Sequence, residues 1–241
     1  MKKLALILLA VALIFTFASC SKSSSSAAPS TSASAAAAPA AESSSTTPST
    51  GTVDSEYDPN KTVDFTQQTS EENRVVTIGT IDKSLYKQPV FVTSFGQSTD
   101  AAMLDTVMKR IGVDYVYNAT ATADTIKGYK TIIIAVGAST KGLGAAGISE
   151  ADETARAKAI MEYINANDVE VICCHIGGSA RRGTLSDLYS DMVMEKASLI
   201  VLKEDANFDY KFTKYAEEHN KPISLIYATK DALTVFTEIF Q

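Results

Sequence analysis

Six short apolar runs, rich in β-branched residues, recur between residues 90 and 227, and the stretches between them carry apolar residues at three- and four-residue spacing. The runs at 90–93, 113–117, 131–136, 169–174, 199–202 and 223–227 fit buried strands. The intervening stretches fit helices. Ser98 or Thr99 can open a helix with Met103, Leu104, Val107, Met108 and Ile111 on one face, and Gly112 can close it. Ser149 opens another with Ile160, Tyr163 and Ile164 on its face, where Asp152 and Glu153 complement the N-terminal dipole. Phe208, Phe212, Tyr215 and Ala216 stripe a further helix ended by Asn220 and Pro222. Thr229 caps the last, which carries Leu233, Phe236 and Phe240. Strict alternation of strand and helix implies an α/β fold, a single three-layer domain with a mainly parallel sheet covered on both faces. Residues 75–81 suggest an added edge strand.

The N-terminal quarter has a different pattern. Lys2 and Lys3 precede an apolar stretch from Leu4 to Phe17, too short to span a bilayer, and Ala18 and Ser19 stand directly before Cys20. This reads as an export signal. Phe17-Ala18-Ser19-Cys20 resembles the bacterial lipoprotein box, in which the cysteine sulfur receives a diacylglycerol and becomes the mature N-terminus. From Ser21 to Thr50 the only charges are Lys22 and Glu42, in a Ser/Ala/Thr/Pro background too polar to bury a core. Disorder is expected there, and a flexible tether of ~40 residues would hold the folded part about 35 Å from the lipid. The expected organisation is a signal at 1–19, a lipidated cysteine and tether at 20–60, an extension at 61–87 and the α/β domain at 88–241. Roughly 180 residues suffice for one domain without disulfide or metal. Localisation is expected outside the cytoplasm, anchored to the cell membrane or the outer membrane.

Charge removes one class of partner. The net charge of −6 becomes −8 once Lys2 and Lys3 leave with the signal, and an acidic chain without a basic run offers nucleic acid no electrostatic footprint.

Glycine points to a site. Eight of the 12 glycines fall in three loops, each directly after a strand: Gly96; Gly137, Gly142, Gly144 and Gly147; Gly177, Gly178 and Gly183. Polar residues share those loops: Ser94, Gln97 and Ser98; Ser139, Thr140 and Lys141; His175, Ser179, Arg181 and Arg182. Ligands of open parallel sheets bind beyond the carboxyl ends of the strands. Only the flavodoxin-like order 2-1-3-4-5, here extended by a sixth strand, makes strands one, three and four neighbours and brings all three loops together. The segments Gly96-Gln97-Ser98, Gly137 to Gly147, and His175-Ile176-Gly177-Gly178 with Arg181-Arg182-Gly183 resemble an uncharacterised family of exported bacterial proteins classed as a domain of unknown function. That resemblance spans roughly residues 88 to 230 and implies no chemistry.

Gly142-Leu143-Gly144-Ala145-Ala146-Gly147 matches G-x-G-x-x-G, but five residues separate it from the strand. Cys174-His175 also ends the next strand where a ribose-binding acid belongs, so NAD and FAD find little support. No cofactor is expected. A Gly-rich turn before a helix, with Lys141 beside it, can instead form an anion-binding nest, the alternative being a solvated lysine. Arg181 and Arg182 point apart, so one at most faces the crevice while the other pairs with Asp187 or Asp191. Arg156 can be an exposed partner of Glu153. His175, at a strand end, is either a base or ligand contact or a histidine tied to backbone carbonyls. His219 suits a helix C-terminus. Two separated histidines and no C-x-x-C argue against zinc. Cys173 and Cys174, adjacent in a strand, face opposite ways and read as buried thiols.

The expected function is a lipid-anchored protein that binds a small anionic ligand through Ser94, Gly96, Gln97, Ser98, Gly137, Ser139, Lys141, Gly142, Gly144, His175, Gly177, Gly178 and Arg181. It would serve a membrane transporter or sensor. The alternative is an envelope enzyme acting on an anionic substrate with His175 as base.

Overall fold

Uncharged runs of Val, Ile and Leu form the middle of a seven-stranded sheet. The computed structural model describes residues 66–241; the expected signal, Cys20 and the tether lie outside them. The strands are β1 (Val75–Ile78), β2 (Val90–Phe95), β3 (Tyr115–Tyr117), β4 (Thr131–Val136), β5 (Glu170–His175), β6 (Leu199–Lys203) and β7 (Ile223–Ile226). Their order is β1-β7-β6-β5-β4-β2-β3. Strands β2 to β7 run parallel, and β1 lies antiparallel on β7 at the edge. For the six expected strands this is the 2-1-3-4-5 order with the sixth added.

The helices are α1 (Asp100–Ile111), α2 (Thr140–Ala146), α3 (Glu150–Ala166), α4 (Thr184–Lys196), α5 (Lys211–Glu218) and α6 (Ala232–Phe240). Side chains of α1 and α6 cover one sheet face, and those of α3, α4 and α5 the other. The pleat divides each strand between them. Phe91, Phe95 and Cys173 pack toward α3–α5, whereas Val90, Val92 and Cys174 pack toward α1 and α6. Both thiols are free and fully buried, which raises their pKa values. Among the described residues no helix is long and apolar enough to cross a membrane.

Two local expectations change, at Met103 and Thr229, and one pair of alternatives, Ser98 or Thr99, is decided. Met103, expected on the buried face of α1, is 45% exposed, because it stands one residue, about 100° of helical turn, from Leu104 at the stripe's centre. Ser98 rather than Thr99 supplies the side-chain acceptor at the start of α1, taking the Asp100 amide at 3.3 Å. Thr229 does not cap α6. It begins a 3-10 turn and donates its hydroxyl to the Ile176 carbonyl at 2.8 Å, while the Asp231 carboxylate accepts the Ala228 amide at 2.8 Å.

Candidate functional site

The chain leaves β2 for one sheet face and β4 for the other, the arrangement that opens a crevice in many α/β sheets. Here that crevice is closed. Gly96 has φ +96°, and a Cβ on it would lie 2.4 Å from the Gly137 carbonyl oxygen, so the two loops touch only because both carry glycine. The Gly137 amide donates to Phe95 O at 3.0 Å, the Ser139 amide donates to Gly96 O at 2.8 Å, and Gln97 bridges Ala138 antiparallel.

A buried ion pair holds the seam from beneath. Glu153, fully buried, accepts from the Gly96 amide at 2.7 Å, Gln97 Nε2 at 3.2 Å and Arg156 Nη2 at 2.8 Å. Arg156 also donates to Ala121 O at 2.7 Å and to Ser94 O, its guanidinium lying over the Phe95 ring. The expected i, i+3 pair of Glu153 and Arg156 is present, and Glu153 stands in the first turn of α3, but the pair is buried where an exposed one was expected. The amides of a sealed loop need an acceptor, and a buried carboxylate needs a cation.

The glycine run after β4 also departs from expectation. Residues 140–146 are helical, with Ser139 Oγ accepting the Gly142 amide at 3.0 Å as the cap and Gly147 closing the helix in the left-handed region. A Cβ on Gly142 would lie 1.8 Å from Gln97 O, whereas Gly144 faces open space. The amides of Gly137, Ala138, Ser139, Gly142 and Leu143 all have internal acceptors, which takes five donors away from an anion nest, and the G-x-G-x-x-G turn is absent because Gly142 and Gly144 lie inside α2. Lys141 is exposed on the first turn.

On the neighbouring loop, His175 points away from the rim. It is fully buried, its ring edge-on to Phe212 at 5.4 Å, with only the backbone of His175 and Arg181 acting on it as hydrogen-bonding groups. Burial first, and the nearby Arg182 charge second, lower its pKa to about 4. A base so enclosed cannot meet a substrate, which corrects the assignment of His175. Arg182 is likewise internal. It holds Asp187 bidentately at 2.8 and 2.9 Å, reaches Asp209 at 2.8 Å and stacks over Phe208 and Phe212. Burial raises the carboxyl pKa values of Asp187 and Asp209, but the guanidinium outweighs it and keeps both below the usual carboxylate range.

What opens at the rim is a cleft of about 460 Å³ between the start of α1 and the loop after β5. Thr99, Asp100 and Met103 form one wall, Gly177, Ala180 and Arg181 the other, and Thr229 the floor toward α6. Gly177 makes this possible: a Cβ there would lie 2.6 Å from Asp100 Oδ2 and 2.4 Å from Arg181 Cγ. Asp100 is only 3% exposed, and its Oδ2 has no hydrogen-bond partner. Burial pushes its carboxyl pKa up to about 6, against the opposing pull of Arg181, the Gly177 amide and Ser98. Arg181 is half-buried and forms no ion pair within 4.0 Å among the described residues.

Of the sequence-derived site residues, Gly177 and Arg181 line this cleft. Ser98 and Gly137 stand behind Asp100, a Cβ on Gly137 falling 3.1 Å from Ser98 Oγ and 3.6 Å from Asp100 Oδ2. Ser94, Gly96, Gln97, Ser139 and Gly142 build the seam. Gly178 packs against Asp205 and Lys203. Sequence reasoning missed Thr99, Asp100, Met103, Ala180 and Thr229. The available signal was an acid at a helix start after a Gly-rich turn, which reads equally well as a dipole partner. Among the described residues no group of three His, Cys, Asp or Glu could hold a metal ion.

Comparison with curated proteins finds no match. Among solved structures, the chain is similar to a GDSL-like lipase from Bacteroides thetaiotaomicron VPI-5482, at 14% identity over 58% of this chain and 72% of that one, with a TM-score of 0.26. It is also similar to a candidate acylhydrolase from Bacteroides fragilis NCTC 9343, at 12% identity over 57% and 68%, with a TM-score of 0.25. Overlap at that level lends nothing to the chemistry of the cleft. Residues 87–240, which include every residue of the cleft, match the domain of unknown function DUF6305, and the chain belongs to that family.

Proposed function

We propose that this protein is exported, anchored through a lipid on Cys20, and binds a small anionic ligand in the cleft between Arg181 and the start of α1, on behalf of a membrane transporter or sensor. One observation carries the binding reading: Arg181, a cation without an ion-pair partner among the described residues, faces the N-terminus of a twelve-residue helix across an open cleft. A guanidinium and a helix N-terminus both favour an anion between them. The anchor rests on the lipoprotein-like box ending at Cys20.

The test is a thermal-shift screen of organic acids and phosphates, followed by calorimetry on variants. Arg181→Ala should weaken the ligand found by about ten- to a hundredfold, the weight of one charge-assisted hydrogen bond. Lys141→Ala and Lys214→Ala, outside the cleft, should change little. Equal affinity in wild type and Arg181→Ala would end the anion reading. In the same preparations Cys20→Ser should leave the detergent phase, and its retention there would end the lipid assignment.

A second reading, an enzyme acting on the same anion, is favoured by one fact. The buried Asp100 carboxyl, with its pKa near 6, suits a general base at neutral pH. Asp100 therefore replaces His175 in that reading. A ligand recovered chemically unchanged after prolonged incubation excludes it.

A further inference from the structure

We infer that the anion bound beside Arg181 carries a short aliphatic tail seated in the groove between α1 and α6, an inference that rests on the anion reading above and narrows it. The sign of the head group follows from the cations that the fold leaves over. The chain has five arginines, and three are held in ion pairs: Arg74 with Asp231, Arg156 with Glu153, and Arg182 with Asp187. The other two, Arg110 and Arg181, form no ion pair among the described residues, and both stand here, Arg181 in the cleft and Arg110 in the groove beside it. Lys230 adds a third such cation to the groove wall. Asp100 is the one acid among the residues lining either space, and it is 3% exposed. Cations without an acid to match them attract an anion and repel a cation.

The tail has a place to go. The cleft shares Met103 and Thr229 with this smaller groove of about 100 Å³, walled by Val107 and Leu233 as well as by Arg110 and Lys230. Met103, Val107 and Arg110 stand at i, i+4 and i+7 of α1, so the groove follows one helix face for about 10 Å. Met103 is 45% exposed where the two spaces meet, and its flexible thioether adapts to what it touches. A head group at Arg181 can therefore lay its tail past Met103 and between Val107 and Leu233. A few methylenes fill a space of that size.

Calorimetry on the full chain with butyrate, hexanoate, hexylammonium and inorganic phosphate tests this. Affinity should rise about fourfold per methylene, on the order of fifteenfold from butyrate to hexanoate. Hexylammonium, with a tail of the same kind and the opposite charge, should bind at least about tenfold more weakly than hexanoate. Met103→Gln and Leu233→Gln should each shrink the hexanoate-to-butyrate ratio, whereas Arg181→Ala should weaken both acids alike; two groove variants guard against one that fails to fold. Hexylammonium matching hexanoate, or a ratio unchanged in both folded groove variants, would overturn the inference. Phosphate or butyrate binding that depends on Arg181, with no gain from the longer tail, would overturn it and leave the anion reading standing. Hexanoate bound equally by wild type and Arg181→Ala, or no binding of any probe, would remove both.

Discussion

Asp100 and His175 are the residues at which burial and ionisation conflict, and they do so with opposite signs. The folded protein holds the Asp100 carboxyl at about 6 against an ordinary value of 3.8, so ionisation is easier in the unfolded chain. Its contribution to stability is complete below pH 4 and is lost as pH rises to 6. For a shift of this size the loss is on the order of 1–3 kcal/mol. Asp100→Asn should therefore be more stable than wild type by that amount at pH 7.5 in urea unfolding, with the gain vanishing near pH 4. A constant difference across the range would show that the carboxyl is not held neutral by its surroundings. His175 acts the other way. Its pKa falls from 6.5 to about 4 on folding, so the unfolded chain takes up a proton between those values that the folded protein refuses, and stability is lost as pH drops through that window. A His175→Phe variant should flatten the acid limb between pH 6.5 and 4, provided the ring still packs on Phe212.

At the scale of elements, the loop after β4 teaches most. Four glycines in eleven residues look like a flexible cradle, yet the segment is a capped helix sealed against the loop after β2. The glycines have separate purposes, and substitutions can tell them apart. Gly142→Ala places a methyl 1.8 Å from the Gln97 carbonyl and should cost about 1–3 kcal/mol as the seam is forced apart. Gly144→Ala, in the same helix and facing open space, should stabilise by about 0.5–1 kcal/mol. Chemical denaturation of the two variants checks the pair. Equal effects would mean that α2 is not packed against the β2 loop. Strands and most helices were legible in advance because a buried run or a stripe is local information. The seam was not, since Gly96 and Glu153, which meet in it, are 57 positions apart in the chain.

At the scale of the whole molecule, the segment ahead of the family-matched region is part of the folded unit. Residues 66–86 precede the match at 87–240, but β1 pairs with β7 from Val75↔Ile226 to Ile78↔Ile223 and covers what would be a bare edge. Glu204, 1% exposed, accepts the amides of Gln68 at 2.6 Å and Thr69 at 2.7 Å, and Arg74 pairs with Asp231 at 2.9 Å. A chain beginning at Lys87 loses those donors to Glu204, the Arg74–Asp231 pair and the β1 cover of β7, and should be less stable by at least ~3 kcal/mol than one beginning at Thr66. Coincident urea midpoints would show that the N-terminal segment merely decorates the domain.

Sequence by itself determined the layers and the strand order of this protein. A strand covered on both faces must be apolar throughout, a helix covered on one face must be striped, and polar glycine-rich loops after strands one, three and four needed those strands side by side. It also sufficed to say that one of two adjacent arginines at most would face the crevice while the other paired with an acid. Tertiary structure alone decided which one. Arg182 closes on Asp187 and Asp209 and leaves Arg181 at the rim. It likewise turned His175 into the core and Asp100 toward Gly177. The reason is physical. Periodicity records which face of an element is buried, whereas the partner of a charge or of a peptide N–H is set by loops that meet across the fold, where an ångström of room at one glycine decides whether a carboxylate can enter.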